Sequence, residues 1–173
     1  MGTFVNTSDF SGVKNISQNS FTKKDLDLYI TEFEVEYLQN LLGCELYDLF
    51  IADLDPDNLP QSQRFIDIFY PFCIDEANSF FCHYQLKSKG IVEMLKCFIY
   101  WEFVSNQKYV DTITGIIVEN NENSRETKYG ETQIYKIYNK AITSYRAIQK
   151  YIYDNSTSYP EFNGIFKDKN TWF

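Results

Sequence analysis

The sequence predicts a mainly α fold: one domain built as a helical bundle of about five helices, with one short β-hairpin or extended arm and irregular N- and C-terminal tails. Three observations predict it. Apolar residues recur every three or four positions over successive segments, most cleanly between Gly130 and Asp154. The gaps between those segments carry helix-stopping residues, Gly43 and the loop Asp55-Pro-Asp-Asn-Leu-Pro60. A chain of 173 residues can bury one real core and is short for two.

Residues 1–20 mix Ser, Asn, Gly and Thr with isolated Phe4, Val5, Phe10, Val13 and Ile16. They read as an N-terminal arm, disordered alone or ordered against a partner. The helical domain spans 21–155. In it, Thr31-Glu-Phe-Glu34 has the form of a capping box and is expected to open a helix carrying Phe33, Tyr37, Leu38, Leu41 and Leu42, which breaks at Gly43. A second helix follows at once, with Leu46, Leu49, Phe50 and Leu54 on one face. Segments 61–71 and 72–88 read as helix, Pro71 marking a break or a first-turn position. Segment 89–109 is apolar nearly all round (Ile91, Met94, Leu95, Phe98, Ile99, Trp101, Phe103), as the central helix of a bundle should be. The last helix repeats Ile134, Ile137, Tyr138, Ala141, Tyr145, Ile148 and Ile152. Residues 156–173 have no helical period, yet hold Tyr159, Phe162, Phe166, Trp172 and Phe173. Such a tail either folds back on its own bundle or docks on a neighbour.

The arm at 112–128 breaks the helical pattern. Ile113, Ile116, Ile117 and Val118 favour extended backbone because branching at Cβ suits a pleated surface. Asn120 to Ser124, including Asn123, offers turn chemistry, and Arg125 to Lys128 is expected to return as a second strand. A two-stranded hairpin is marginal in water, so this one calls for a partner strand, a sheet edge or a channel to project into. A loop resting on its own bundle is the plainer alternative.

Composition narrows the function classes. A net charge of −8, with arginine only at Arg64, Arg125 and Arg146, argues against a phosphate-neutralising surface. The chain lacks an uninterrupted apolar run of membrane-spanning length, which predicts a soluble, unexported protein with no membrane partner. Aromatic residues make up 18%, more than a chain this size hides easily, which hints at assembly. Cys44, Cys73, Cys82 and Cys97 lack metal-ligand spacing and read as buried thiols. Glu32, Glu34 and Glu36 read as a solvated helix face. No phosphate-cradling glycine loop or nucleophile elbow occurs. The residues that could build a bundle-core catalytic site are Asp75, Glu76, His83 and Glu102, but the Glu-x-x-His pairing of di-metal bundles is missing. The expectation is a non-enzymatic protein without cofactor or metal.

The run Tyr29-Ile-Thr-Glu-Phe-Glu-Val-Glu-Tyr-Leu-Gln-Asn-Leu-Leu-Gly-Cys-Glu-Leu-Tyr-Asp-Leu-Phe50, with its Leu-Leu-Gly-x-Glu-Leu centre, resembles the head-tail connector (adaptor, head-completion) proteins of tailed bacteriophages. The likeness takes in the order of elements over most of 25–152, including the Thr112-x-Thr-Gly-Ile-Ile-Val-x-Asn-x-Glu-Asn-Ser124 arm between two long helices. The resemblance implies a virion protein of the head-tail junction, made in the bacterial cytoplasm. It implies a homo-oligomeric ring under the portal protein that extends the DNA channel, lets DNA pass without sequence-specific binding, and offers a platform to further tail or ring proteins. Ile113, Ile116, Ile117, Val118, Asn120, Asn123, Arg125, Tyr159, Phe162, Phe166, Trp172 and Phe173 are then candidate interface residues. A helical adaptor or regulatory protein that binds a single host or phage partner is the alternative.

Overall fold

The computed structural model describes residues 2–16, 19–75, 85–107, 109–112, 115–118 and 128–167; for 20–21, 75, 85, 107, 109–112, 115–118 and 128–133 it describes the main chain only. Five α-helices lie among these residues: α1 (Ser20–Leu42), α2 (Cys44–Ala52), α3 (Gln63–Phe69), α4 (Ile91–Gln107) and α5 (Lys128–Asp154). The described residues also form two antiparallel hairpins, β1 (Phe72–Asp75) with β2 (Gln85–Ser88), and β3 (Tyr109–Thr112) with β4 (Gly115–Val118). Helix α4 packs against both α1 and α5 and is the middle of the bundle. It buries Ile91, Met94, Leu95, Phe98, Ile99 and Phe103, as its nearly unbroken apolar surface requires. No helix among the described residues is long and apolar enough to cross a membrane.

Helix α1 starts eleven residues before the expected capping box, at Ser20, where the Asn19 side chain accepts the Thr22 amide at 2.8 Å. Thr31 lies inside the helix and its hydroxyl donates to the Asp27 carbonyl. The apolar face of α1 already includes Leu26 and Ile30, both fully buried, so the helix cannot begin at Thr31. Glu34 is likewise not on a solvated face. It is 3% exposed, while Glu32 and Glu36 are exposed.

The chain turns from α1 into α2 at Gly43, whose φ of +83° and ψ of 159° belong to a region open essentially to glycine. Past α2, Asp53 organises the loop: its carboxylate accepts the amides of Gln61 and Ser62 at 2.9 and 2.8 Å, and the Ser62 hydroxyl as well. Burial would raise this carboxyl's pKa, but those donors, with Arg64 nearby, hold it below the usual aspartate value.

Segment 72–88 is not helical where described. Phe72–Asp75 pairs with Gln85–Ser88, in the register Phe72↔Ser88 and Ile74↔Leu86. The pattern is period two: Phe72 and Ile74 are half-buried with Cys73 exposed between them, and Lys87 is exposed between half-buried Leu86 and buried Ser88. Strands of four residues leave too short a signal to outweigh a helical reading. This hairpin lies on α5, where the Phe72 ring meets Tyr151 at 5.2 Å.

Candidate functional site

Both ends of the described chain fold back on the bundle through hydrogen bonds of their main chain, whose amides meet a side-chain carboxylate at the N-terminal end and helix carbonyls at the C-terminal end. At the N-terminal end, the Glu34 carboxylate accepts the amides of Thr3 (2.7 Å), Phe4 (3.1 Å) and Val5 (3.0 Å). A carboxylate this deep needs several donors to offset its lost hydration, and three consecutive amides supply them. Val5, Phe10 and Ile16 are buried, Phe4 stacks on Phe50, and Lys96 and Lys14 pair with Asp9 and Glu93. The expectation of an arm disordered alone or ordered against a partner is thus corrected: residues 2–16 are ordered against their own bundle because their apolar side chains complete its core.

The C-terminal segment solves a problem that α1 creates. A helix leaves its last four carbonyls without intrahelical partners. Here Gly43 donates to Gln39, Ile165 to Asn40 (2.6 Å), the Gln149 amide to Leu41 (3.3 Å) and Asn163 to Leu42 (3.3 Å). The Tyr145 hydroxyl sits between the carbonyls of Asn40 and Ile165. Gly164 passes so near the Leu41 carbonyl that a Cβ there would collide with it. The segment 163–167 therefore runs back along α1 as a strap, and an open cleft of ≈ 370 Å³ is left between it, Gln39, Cys44 and Glu45.

The strap ends on a polar cluster of buried Tyr37 with half-buried Glu102 and Lys167. The Tyr37 hydroxyl donates to Glu102 at 2.6 Å, the Tyr37 ring stacks on Phe98 with centroids 4.0 Å apart, and Lys167 lies 4.2 Å from the Tyr37 centroid. Burial, then the hydrogen bond and charge of Glu102, push the Tyr37 hydroxyl far above the usual tyrosine range. Burial raises the Glu102 carboxyl and lowers the Lys167 ammonium. This arrangement holds a carboxylate, a phenol and an ammonium as a clamp on the strap, each occupied with its neighbours.

The candidate interface residues within the described part fall into three groups, and the others lie outside it. Tyr159 is buried, its hydroxyl donating to the Arg64 carbonyl, and Phe162 packs against the core, so both anchor the tail to its own bundle. Phe166 is 76% exposed beside Ile165 at 58%. Ile116, Ile117 and Val118 lie in β4, pairing with Asp111, Val110 and Tyr109. Ile113, Asn120, Asn123, Arg125, Trp172 and Phe173 lie outside the described residues. Of the expected return strand, residues 125–127 lie outside the described residues and Lys128 opens α5, while β4 pairs with β3 upstream. The main neighbour of this hairpin in the rest of the fold is the end of α4.

Of the alternative catalytic group, Glu102 belongs to the strap clamp, Asp75 is in β1, and Glu76 and His83 lie outside the described residues. Among the described residues no group of His, Cys, Asp or Glu side chains is placed to hold a metal ion. Cys97 is buried beside Lys14 and Glu93, its thiol pushed up by burial; Cys44 and Cys73 are exposed, which corrects their reading as buried thiols, and Cys82 lies outside the described residues. Sequence reasoning missed Glu34, Gln149 and Tyr145. Only Tyr145 left a trace, as a member of the α5 apolar stripe.

A family model described as a family of unknown function (DUF6712) matches residues 38–165, which runs from the C-terminal end of α1 into the strap. No curated protein and no solved structure matches the chain.

Proposed function

The chain belongs to the DUF6712 family, and from the placement of its arm and terminal segments we propose that it is the structural subunit of a phage head-tail connector ring. On this reading it docks under the portal protein, extends the DNA channel and provides the platform for tail attachment, without enzymatic activity. The β3–β4 hairpin carries the proposal. Its strands are four residues long, they pair with each other, and the bundle meets them mainly at the end of α4. A hairpin of that size is marginal in water and gains stability from a surface supplied by another subunit. Exposed Ile165 and Phe166, on a strap held rigidly by α1 and α5, offer a second contact. The resemblance of residues 29–50 to connector proteins supports the same reading.

The native mass of the purified protein, alone and with a cognate portal ring, tests it. A closed ring, or one formed only with the portal, is the expected result. A monomer indifferent to the portal overturns the proposal and favours a helical adaptor that uses the Ile165–Phe166 patch on a single partner.

A further inference from the structure

The surface of the bundle carries opposite charges on two different helices. On α1, Glu32 and Glu36 are exposed one turn apart, beside Leu28 and Val35, which remain 69% and 39% exposed. On α5, Lys136 and Lys140 are exposed one turn apart, and one turn further on the buried Ser144 hydroxyl accepts the Lys89 amide at 3.1 Å. That bond sets Lys89, exposed like Lys87 two residues before it, in line with the α5 lysines. Neither the two glutamates nor these four lysines form an ion pair with a described residue, while Glu36 accepts the Asn40 side-chain amide at 3.4 Å and lies within electrostatic reach of Lys167. The two ridges lie on different helices, each packed on α4.

We propose that the acidic ridge of α1 in one copy docks on the basic ridge of α5 in the next, so that this pair of surfaces is the repeating contact between subunits. The inference rests on the ring reading and specifies its interface. In both ridges the charges recur at i and i+4, about 6 Å apart along the helix, so two carboxylates can face two ammonium groups in register. The lysine stems are long enough to cover Leu28 and Val35 while their ends reach the glutamates. Like charges keep α1 from pairing with α1 and α5 from pairing with α5. A contact between two unlike surfaces of one chain is heterologous, and repeats into a ring where its rotation closes.

Charge reversal tests the pairing in the full chain, by native mass at low and high salt with the portal ring present. Lys136→Glu with Lys140→Glu, and separately Glu32→Lys with Glu36→Lys, are each expected to weaken assembly by about tenfold or more. All four reversals in one chain restore complementary ridges and are expected to restore assembly. Circular dichroism melts of the variants check that the fold survives, which the exposure of every substituted side chain leads one to expect. Rings that persist in both paired reversals overturn this inference and leave the ring reading standing. A wild-type chain that forms no ring, with or without the portal, overturns both. If the lysine reversal abolishes DNA retention while rings still form, the basic ridge belongs to nucleic acid and the pairing is wrong.

Discussion

Glu34 shows how a single residue reverses its meaning between sequence and structure. Between Glu32 and Glu36 it looks like a third member of a solvated face, but a helix advances 100° per residue, and two residues on either side suffice to turn it inward. Nothing nearby in sequence marks its partners, since the amides of Thr3, Phe4 and Val5 lie about thirty residues upstream. Hydrogen bonds to a charged group contribute roughly 1.5–3 kcal/mol each, and they are not additive. Glu34→Ala is therefore expected to destabilise the protein by about 3 kcal/mol, with amide hydrogen exchange accelerating first at residues 3–5. Exchange that stays slow there would show that the apolar anchors Val5 and Phe10 hold the arm without the carboxylate. Glu102 makes a prediction of opposite sign. Its carboxyl is raised chiefly by burial, with Glu36 and Glu32 adding, against the pull of the Tyr37 hydroxyl and Lys167. A carboxyl raised on folding binds its proton more tightly in the fold than in the unfolded chain. Its stabilising effect is present below the ordinary glutamate range and is lost as pH rises through the raised value. Glu102→Gln keeps an acceptor for Tyr37 and removes the titration. Melting temperature against pH, from the glutamate range to neutrality, should then decline less in the variant than in the wild type, and equal slopes would refute the assignment.

At the scale of elements, legibility followed signal length. Helices α2, α4 and α5 were readable because each repeats its apolar positions over several turns or is apolar throughout, and because Gly43 and the Asp55–Pro60 loop punctuate them. The start of α1 was misplaced because a local Thr-x-x-Glu pattern competes with tertiary burial of Leu26 and Ile30, which sequence does not show. The β1–β2 hairpin was missed because alternation over four residues is too brief to distinguish from a helical turn. Gly43 was read correctly as a stop, and the structure supplies the reason it is glycine. A side chain would occupy a backbone region costing about 1–3 kcal/mol, and its Cβ would come within 2.8 Å of the Asn163 carbonyl carbon. Gly43→Ala should therefore cost about 3 kcal/mol or more in chemical denaturation, more than the roughly 1 kcal/mol of an ordinary helix-end change. A cost below that would mean the strap yields to make room.

For the molecule as a whole, the question left open by the sequence was whether the aromatic tail folds back or docks elsewhere. The described part folds back, through an accounting that no periodicity reveals: the orphan carbonyls of α1 are met by Asn163, Ile165, Tyr145 and Gln149 from the last third of the chain. The strap is thus the C-terminal cap of a helix formed more than a hundred residues earlier. It ties α1 to α5, which also meet directly through Tyr145 and Gln149. Truncation after Asn155 removes Tyr159 from the core and leaves the Asn40 and Leu42 carbonyls without their amide partners. Loss of one large buried aromatic alone costs about 3–5 kcal/mol, a large share of the roughly 5–15 kcal/mol that holds a domain of this size. The truncated chain is expected to lose cooperative thermal unfolding or to melt far below the full-length protein. Tyr159→Phe separates the two contributions, because it keeps the ring and deletes only the bond to Arg64, and should cost about 1 kcal/mol. A truncated chain that melts like the intact one would show that α1 is capped by water, and that the tail is held in place for its partners and not for the fold.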